Sequence, residues 1–170
     1  LHSEFPSTSS LLEAMISHGV KEMAGALTLA APTTRRDFLA TLEAFGRRFL
    51  ATMLDAERIA LYRAAIAEAA AVPALGRALL ETGAGRTRAI VRDFVQAASA
   101  AGLVEFPSAE LAMTIFFRIL LGDLMVTALL DPDRRPDEAE IAARARLAVE
   151  VLARLEGMPG TGSPRQLVAP

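Results

Sequence analysis

The sequence predicts an all-α fold, and composition, apolar spacing and helix-boundary residues each support that prediction. The chain has 170 residues, of which 52% are hydrophobic and only 5% aromatic. Alanine, leucine, glutamate and arginine are abundant, and these residues favour helix over strand. The length suits one domain with its own core. A formal net charge of -2 argues against a self-sufficient DNA-binding domain, which usually presents a basic face.

The residues that metal sites and catalytic sites need are scarce. Cysteine is absent, which excludes disulfides and thiolate zinc sites and fits a reducing cytosol. The two histidines, His2 and His18, do not occur in an H-E-x-x-H or E-x-x-H pattern, so we expect no metal and no cofactor. No basic start followed by an apolar run marks a secretory signal. We therefore predict a cytoplasmic protein that is not an enzyme and has no catalytic residues.

Apolar residues recur every three or four positions through the first hundred residues, between residues that begin or end helices. The first predicted helix, residues 8–30, ends before Pro32. In the second helix the apolar stripe carries Phe38, Phe45 and Phe49. The glycines at 83 and 85 are interpreted as a helix break, because they follow a helix and not a strand. The five helices of this region are predicted to begin at Ser7 or Thr8, at Thr33 or Thr34, at Asp55, at Pro73 and near Arg86.

Residues 108–130 are predicted to form one long helix that is apolar around nearly its whole circumference. A helix of this kind must be buried on all sides. It would either span a membrane, lie at the centre of a large core, or place one face in its own core and the other in a subunit interface. Arg118 and Asp123 near its middle oppose the membrane span, and the small size of the domain favours the interface. The two charges lie five residues apart, so we expect them to pair with other helices or across the interface.

The last predicted helix, residues 137–156, begins with acidic residues after Pro136 and ends at Gly157. Residues 157–170 are rich in glycine and proline and are predicted to be a disordered tail. Three small residues of this helix allow a neighbouring helix to approach closely: Ala142, Ala145 and Ala148.

The few aromatic side chains lie on the apolar stripes of several helices. They either fill the core or line an apolar cavity between helices, which is a common ligand site in bundles. Arg118 would then be a polar anchor in such a cavity. The candidate pocket residues are Phe45, Phe49, Met53, Tyr62, Ile66, Phe94, Phe116, Phe117 and Arg118.

The beginning of the chain resembles the join between the DNA-reading helix and the first regulatory helix of TetR-family repressors. Thr8 stands at the lysine of that family's pattern, aromatic-x-x-Phe-x-Ser-Lys-Glu-x-Leu, and His2 lies near its aromatic position. The matching residues are Phe5, Pro6, Ser7 and Leu11. Later segments are similar, in order and spacing, to the regulatory domain of the AefR-like branch: residues 61–69, 73–86, 100–103, 107–112, 120–123 and 136–141.

This resemblance implies a homodimer, in which the last two long helices pair with their copies as a four-helix bundle. It also implies a ligand cavity among the middle helices, and a helix-turn-helix segment before Leu1 that would contact operator DNA. Residues 1–7 would be a remnant of the DNA-binding head and join, and residues 8–156 a ligand-binding and dimerisation domain. The implied interface residues are Phe117, Leu121, Leu124, Met125, Ala145, Ala148, Leu152 and Leu155.

The resulting hypothesis is an effector-binding and dimerisation domain of a ligand-released repressor, with a small apolar or aromatic ligand and no membrane partner. A helical dimeric adaptor would share the interface but have no ligand cavity. A cofactor-less helical enzyme would need an acid–base pair around Glu68, for which the sequence offers no evident partner.

Overall fold

Helices account for every regular element in the part of the chain that the structure describes, which confirms the all-α prediction. The computed structural model describes residues 31–71, 73–78, 80–81, 85–131 and 133–159, together with Ser10, Ala14 and His18. Apart from these three helical positions, the predicted helix at 8–30 lies outside the described residues, as does the predicted tail beyond residue 159. The described helices are α1 (Arg35–Met53), α2 (Ala56–Ala69), α3 (Pro73–Ala78), α4 (Gly85–Ala100), α5 (Ala109–Leu121), α6 (Leu124–Leu130) and α7 (Glu138–Ala153).

Side-chain caps fix where four of these helices begin. The Thr34 hydroxyl accepts a hydrogen bond from the first turn of α1, and the Asp55 carboxylate does the same for α2. Ser108 caps α5 in this way. Asp137 and Glu140 form a reciprocal capping box at α7. Each cap supplies an acceptor to an N–H group that would otherwise lack one, so the predicted helix starts are confirmed here.

The core is built where α1 packs against α5 and α7. The predicted aromatic stripe of α1 is buried, and Phe38 and Phe45 are at most 1% exposed. Gly46 lies beside this stripe at the closest approach of the three helices. A Cβ atom at Gly46 would lie 3.1 Å from Leu120 Cδ1 and 3.4 Å from the Cβ of Ala145. The absence of a side chain at Gly46 therefore lets α1 lie directly on α5 and α7.

The prediction of one continuous helix over residues 108–130 is wrong. Helix α5 ends at Leu121, and α6 begins at Leu124 with its axis bent by 40°. The cause is Gly122, whose φ of 46° is a conformation that side-chain-bearing residues rarely adopt. Among the described residues no single helix is long and apolar enough to cross a membrane, and α5 with α6 reaches that length only as a bent pair.

Replacing Gly46 with leucine should lower the free energy of unfolding by about 1–3 kcal/mol, because the new side chain must be inserted into a packed contact. Chemical denaturation followed by circular dichroism would measure the loss. Ala44→Leu, at an exposed position of the same helix, is the matched control and should change stability by less than about 0.5 kcal/mol. Equal stabilities for the two variants would contradict the close approach at Gly46.

Candidate functional site

Four of the candidate pocket residues form a single packed aromatic cluster. Phe45 and Phe49 of α1 meet Phe116 and Phe117 of α5, with ring centroids 5.2–6.4 Å apart. All four side chains are at most 6% exposed. The separations are those of aromatic rings in direct contact. These rings therefore hold α1 to α5.

Three further candidates lie on or beside α2. The hydroxyl of Tyr62 is 3.9 Å from Met53 Sδ, at the junction between α1 and α2. Burial raises the pKa of the Tyr62 phenol above its ordinary value, and the positive charge of Arg58 offsets part of that rise. Ile66 is 56% exposed, one turn further along the helix. It lines a shallow apolar cleft of about 370 Å³ with Val126, Leu129 and Leu130 of α6.

Phe94 lies in a separate cleft beside α4. Its ring stacks on Phe38 with centroids 5.1 Å apart and an interplanar angle of 15°. The cleft has a volume of about 470 Å³, within the range of small-molecule sites. Besides Phe94 it is lined by Ala31, Pro32, Ile90, Asp93, Ala97, Ala98, Ala101 and Leu103. The pocket candidates are thus distributed over several regions, and the sequence signal for this cleft is the run of alanines that follows Phe94.

A further groove runs along the outer side of α1. It has a volume of about 980 Å³ and is more open to solvent than an enclosed ligand cavity. Arg47 and Arg48 lie along it, with Glu43 of the same helix and Glu138 from the start of α7. Charges of both signs at its rim give this groove no preference for an anionic or a cationic molecule.

The expected interface residues divide into two groups in the structure. Four of them face the core of their own chain and are at most 4% exposed: Phe117, Ala145, Ala148 and Leu152. The other four are half-buried and pack against that core: Leu121, Leu124, Met125 and Leu155. The side of α7 that faces away from the core carries Leu147, which is 48% exposed. Leu147 was not among the interface residues expected from the sequence, which lie on the alanine-rich side of this helix.

The charged residues of the apolar helices lie near the surface. Asp123 forms an ion pair with Arg144 of α7, with 3.1 Å between Oδ1 and Nη2, which fits the expectation that it pairs with another helix. The Arg144 hydrogen bond lowers the pKa of the Asp123 carboxyl. Arg118 and Glu68 are exposed. Within the described residues no group of three or more acidic or histidine side chains is arranged to hold a metal ion.

The chain is similar to known transcriptional regulators in sequence and in structure. Residues 40–155 match the family model of the AefR-like transcriptional repressor, C-terminal domain, which extends from α1 to the end of α7. A TetR-family transcriptional regulator from Mesorhizobium loti has a similar structure, with a TM-score of 0.81 and 26% identity over 89% of this chain and 74% of that chain. A TetR transcriptional regulator from Agrobacterium tumefaciens gives a TM-score of 0.67 and 28% identity, over 87% and 71%. Curated proteins gave no match to this sequence.

The ionisation of Tyr62 should report its burial directly, because it is the only tyrosine and tryptophan is absent. The absorbance titration of the folded protein should have its midpoint above the ordinary value of about 10. Burial favours the neutral phenol, so this contribution to stability is present below the unfolded pKa and is lost as pH rises through the folded pKa. Denaturant should return the midpoint to about 10. A folded midpoint at or below that of the unfolded chain would contradict the burial.

Proposed function

The chain belongs to the AefR-like family of TetR-type transcriptional repressor C-terminal domains, and we propose that it binds a small effector molecule and forms a homodimer. The observation that carries the proposal is the position of the Phe94 cleft, whose wall includes Ala31 and Pro32. These residues directly follow the segment 8–30, which the sequence predicts to be the helix leading from the DNA-binding heads. A ligand in this cleft would therefore contact the two residues through which that predicted helix is joined to the described part of the domain.

The lining of the cleft favours a flat, largely apolar ligand. The Phe94 ring supplies an aromatic surface, and Ile90 and Leu103 supply aliphatic ones. Alanines on the same helix leave space without adding polar groups. Asp93 is the charged residue of the lining, and its carboxylate already forms an ion pair with Arg92 at 2.9 Å. The cleft thus suits a neutral aromatic molecule better than an anion.

The proposed mechanism couples this cleft to DNA through the predicted helix at 8–30. Two helix-turn-helix segments, one before residue 1 of each chain, would contact the half-sites of a palindromic operator. A ligand that binds one position of the helix more tightly than the other shifts the population toward that position. The shift changes the spacing of the DNA-binding heads and releases the operator. Residues 8–156 would form this regulatory domain, residues 1–7 the join, and the site of action would be the cytoplasm.

We propose that the outward sides of α5 and α7 pair with a second copy of the chain. The two helices pack against each other, so their outward sides lie next to one another. Apolar residues recur there at helical spacing, with Arg118 beside them. We call these residues together the pairing surface: Leu111, Ile115 and Arg118 of α5 with Ala143, Leu147 and Val151 of α7. Arg118 needs an acidic partner in such an interface, and Glu150 is exposed on the same side of α7. This set replaces the buried residues Phe117, Ala145, Ala148 and Leu152 in the proposed interface.

Indole should bind in the Phe94 cleft, because it is a flat, neutral aromatic molecule that matches the apolar lining of the cleft. In amide NMR spectra we expect indole to shift the signals of Ile90, Phe94 and Ala97. Ala97→Phe fills the cleft and should abolish these shifts, whereas Ala100→Phe, at an exposed position of the same helix, should retain them. Identical responses of the two variants would exclude this cleft as the site, and an adaptor without a ligand would then be favoured.

Leu147→Glu should convert the dimer to a monomer, because it puts a charge into the centre of the pairing surface without disturbing the core of the chain. Sedimentation velocity at matched concentrations would measure the conversion, which we expect to weaken association by roughly a hundredfold or more. Leu80→Glu is the matched control, since Leu80 is 69% exposed and lies outside α5 and α7. A Leu147→Glu protein that remains dimeric would place the interface elsewhere.

A further inference from the structure

We propose that α5 and α6 are two halves of one hinged helix, which exists in a bent and a straight form, and that Arg144 holds the bent form. Neither form requires a bound effector or DNA. Three features carry it: the turn between the two helices, the contacts of Arg144, and the way α6 is attached to the rest of the domain.

The turn between α5 and α6 has the backbone angles of a tight reversal. Gly122 has φ 46° and ψ −124°, and Asp123 has φ −92° and ψ −8°. These values are close to those of the two central residues of a type II′ turn, in which the first position is strongly selective for glycine. The same glycine tolerates ordinary helical angles. Gly122 can therefore adopt either the turn angles of the bent form or the helical angles of a straight form.

Arg144 stabilises the bent form by contacts that span the break. Its Nη1 donates to the Ile119 carbonyl at 3.4 Å, and its Nη2 donates to Asp123 Oδ1 at 3.1 Å. The Nη1 atom also occupies the space into which a Cβ at Gly122 would project. Asp123 makes no side-chain capping bond to α6, although it stands at its N-cap position. Arg144 thus satisfies an acceptor at the end of α5 and the carboxylate at the start of α6.

The bent form leaves helical hydrogen bonds unmade. A continuous helix would pair the N–H groups of Asp123, Leu124 and Met125 with the carbonyls of residues 119–121. In the bent form Arg144 takes the Ile119 carbonyl instead. Straightening therefore exchanges the side-chain contacts of Arg144 for backbone hydrogen bonds. The uninterrupted apolar pattern of residues 108–130 is compatible with the straight form as well.

Helix α6 packs on the core through Ala128, which is fully buried, while the opposite side of α6 is exposed. Its last turn is held to α2, where Arg63 Nε donates to the Leu129 carbonyl at 2.6 Å. Val126 and Leu130 remain 58% and 79% exposed. Straightening would lift α6 from α2 and open the shallow cleft that Ile66 shares with it. The hinge segment is thus held at one end by Arg63 of α2 and at the other by Arg144 of α7, the helix that also carries Leu147.

Gly122→Ala is the test, because alanine disfavours the positive φ of the bent form and favours helix. We expect the ratio of straight to bent molecules to rise roughly tenfold to hundredfold. Backbone NMR would measure the ratio from the Cα shifts of residues 122–125, which should move to helical values. The nuclear Overhauser contacts between Ile66 and Leu129 should weaken to the same extent. Gly102→Ala is the matched control, since Gly102 also has a positive φ of 71° but no neighbour within 4 Å of its Cβ position.

Arg144→Ala provides a second test that does not strain the backbone. It should move the same shifts in the same direction, whereas Arg146→Ala, exposed on the same helix, should not. Turn-like shifts and intact Ile66–Leu129 contacts in both hinge variants would overturn the proposal. Loss of all helical shifts from residues 124–130 would also overturn it, because the segment would then unfold instead of straightening. Should Gly122→Ala fail to fold, Arg144→Ala decides alone.

Discussion

The close approach of α1 to α5 and α7 at Gly46 is the constraint on which the rest of the domain depends. With no side chain at that point, Leu120 and Ala145 lie within van der Waals reach of the α1 backbone. This approach brings the rings of Phe45 and Phe116 into contact and buries the inner side of α7 completely. Because the inner sides of α5 and α7 are buried in this core, only their outward sides are accessible to a second chain.

Local features of the fold were predictable from the sequence because their causes are local. A threonine, serine or aspartate before an apolar stripe is enough to mark a helix start, as at Thr34, Ser108 and Asp137. The break at Gly122 was not predictable in this way. A glycine inside an apolar helical pattern is tolerated, and the contacts that favour its positive φ come from Arg144, on another helix. Apolar periodicity alone therefore gave one helix where the structure has two.

In the candidate site, too, local features were predictable from the sequence and those that depend on contacts between helices were not. Periodicity identified the aromatic residues that face inward but did not distinguish rings packed on rings, such as Phe45, from a ring that borders a cleft, such as Phe94. That difference arises from Pro32 and the alanines of α4, whose small side chains leave the space open. On α7 the alanine-rich side is the one buried in the core, and Leu147 lies on the other side. Fold and family thus followed from the sequence, whereas the orientation of the site required tertiary contacts.

We propose that the domain pairs through the outward sides of α5 and α7, and that its ligand cleft adjoins Ala31 and Pro32, which follow the predicted helix that leads to DNA. Isotope-filtered methyl NMR on a mixture of labelled and unlabelled chains would test the pairing most directly. We expect contacts between chains from the methyl groups of Leu111, Ile115 and Leu147. Contacts between chains from Ile66, Val126 and Leu130 instead, or none at all, would contradict it.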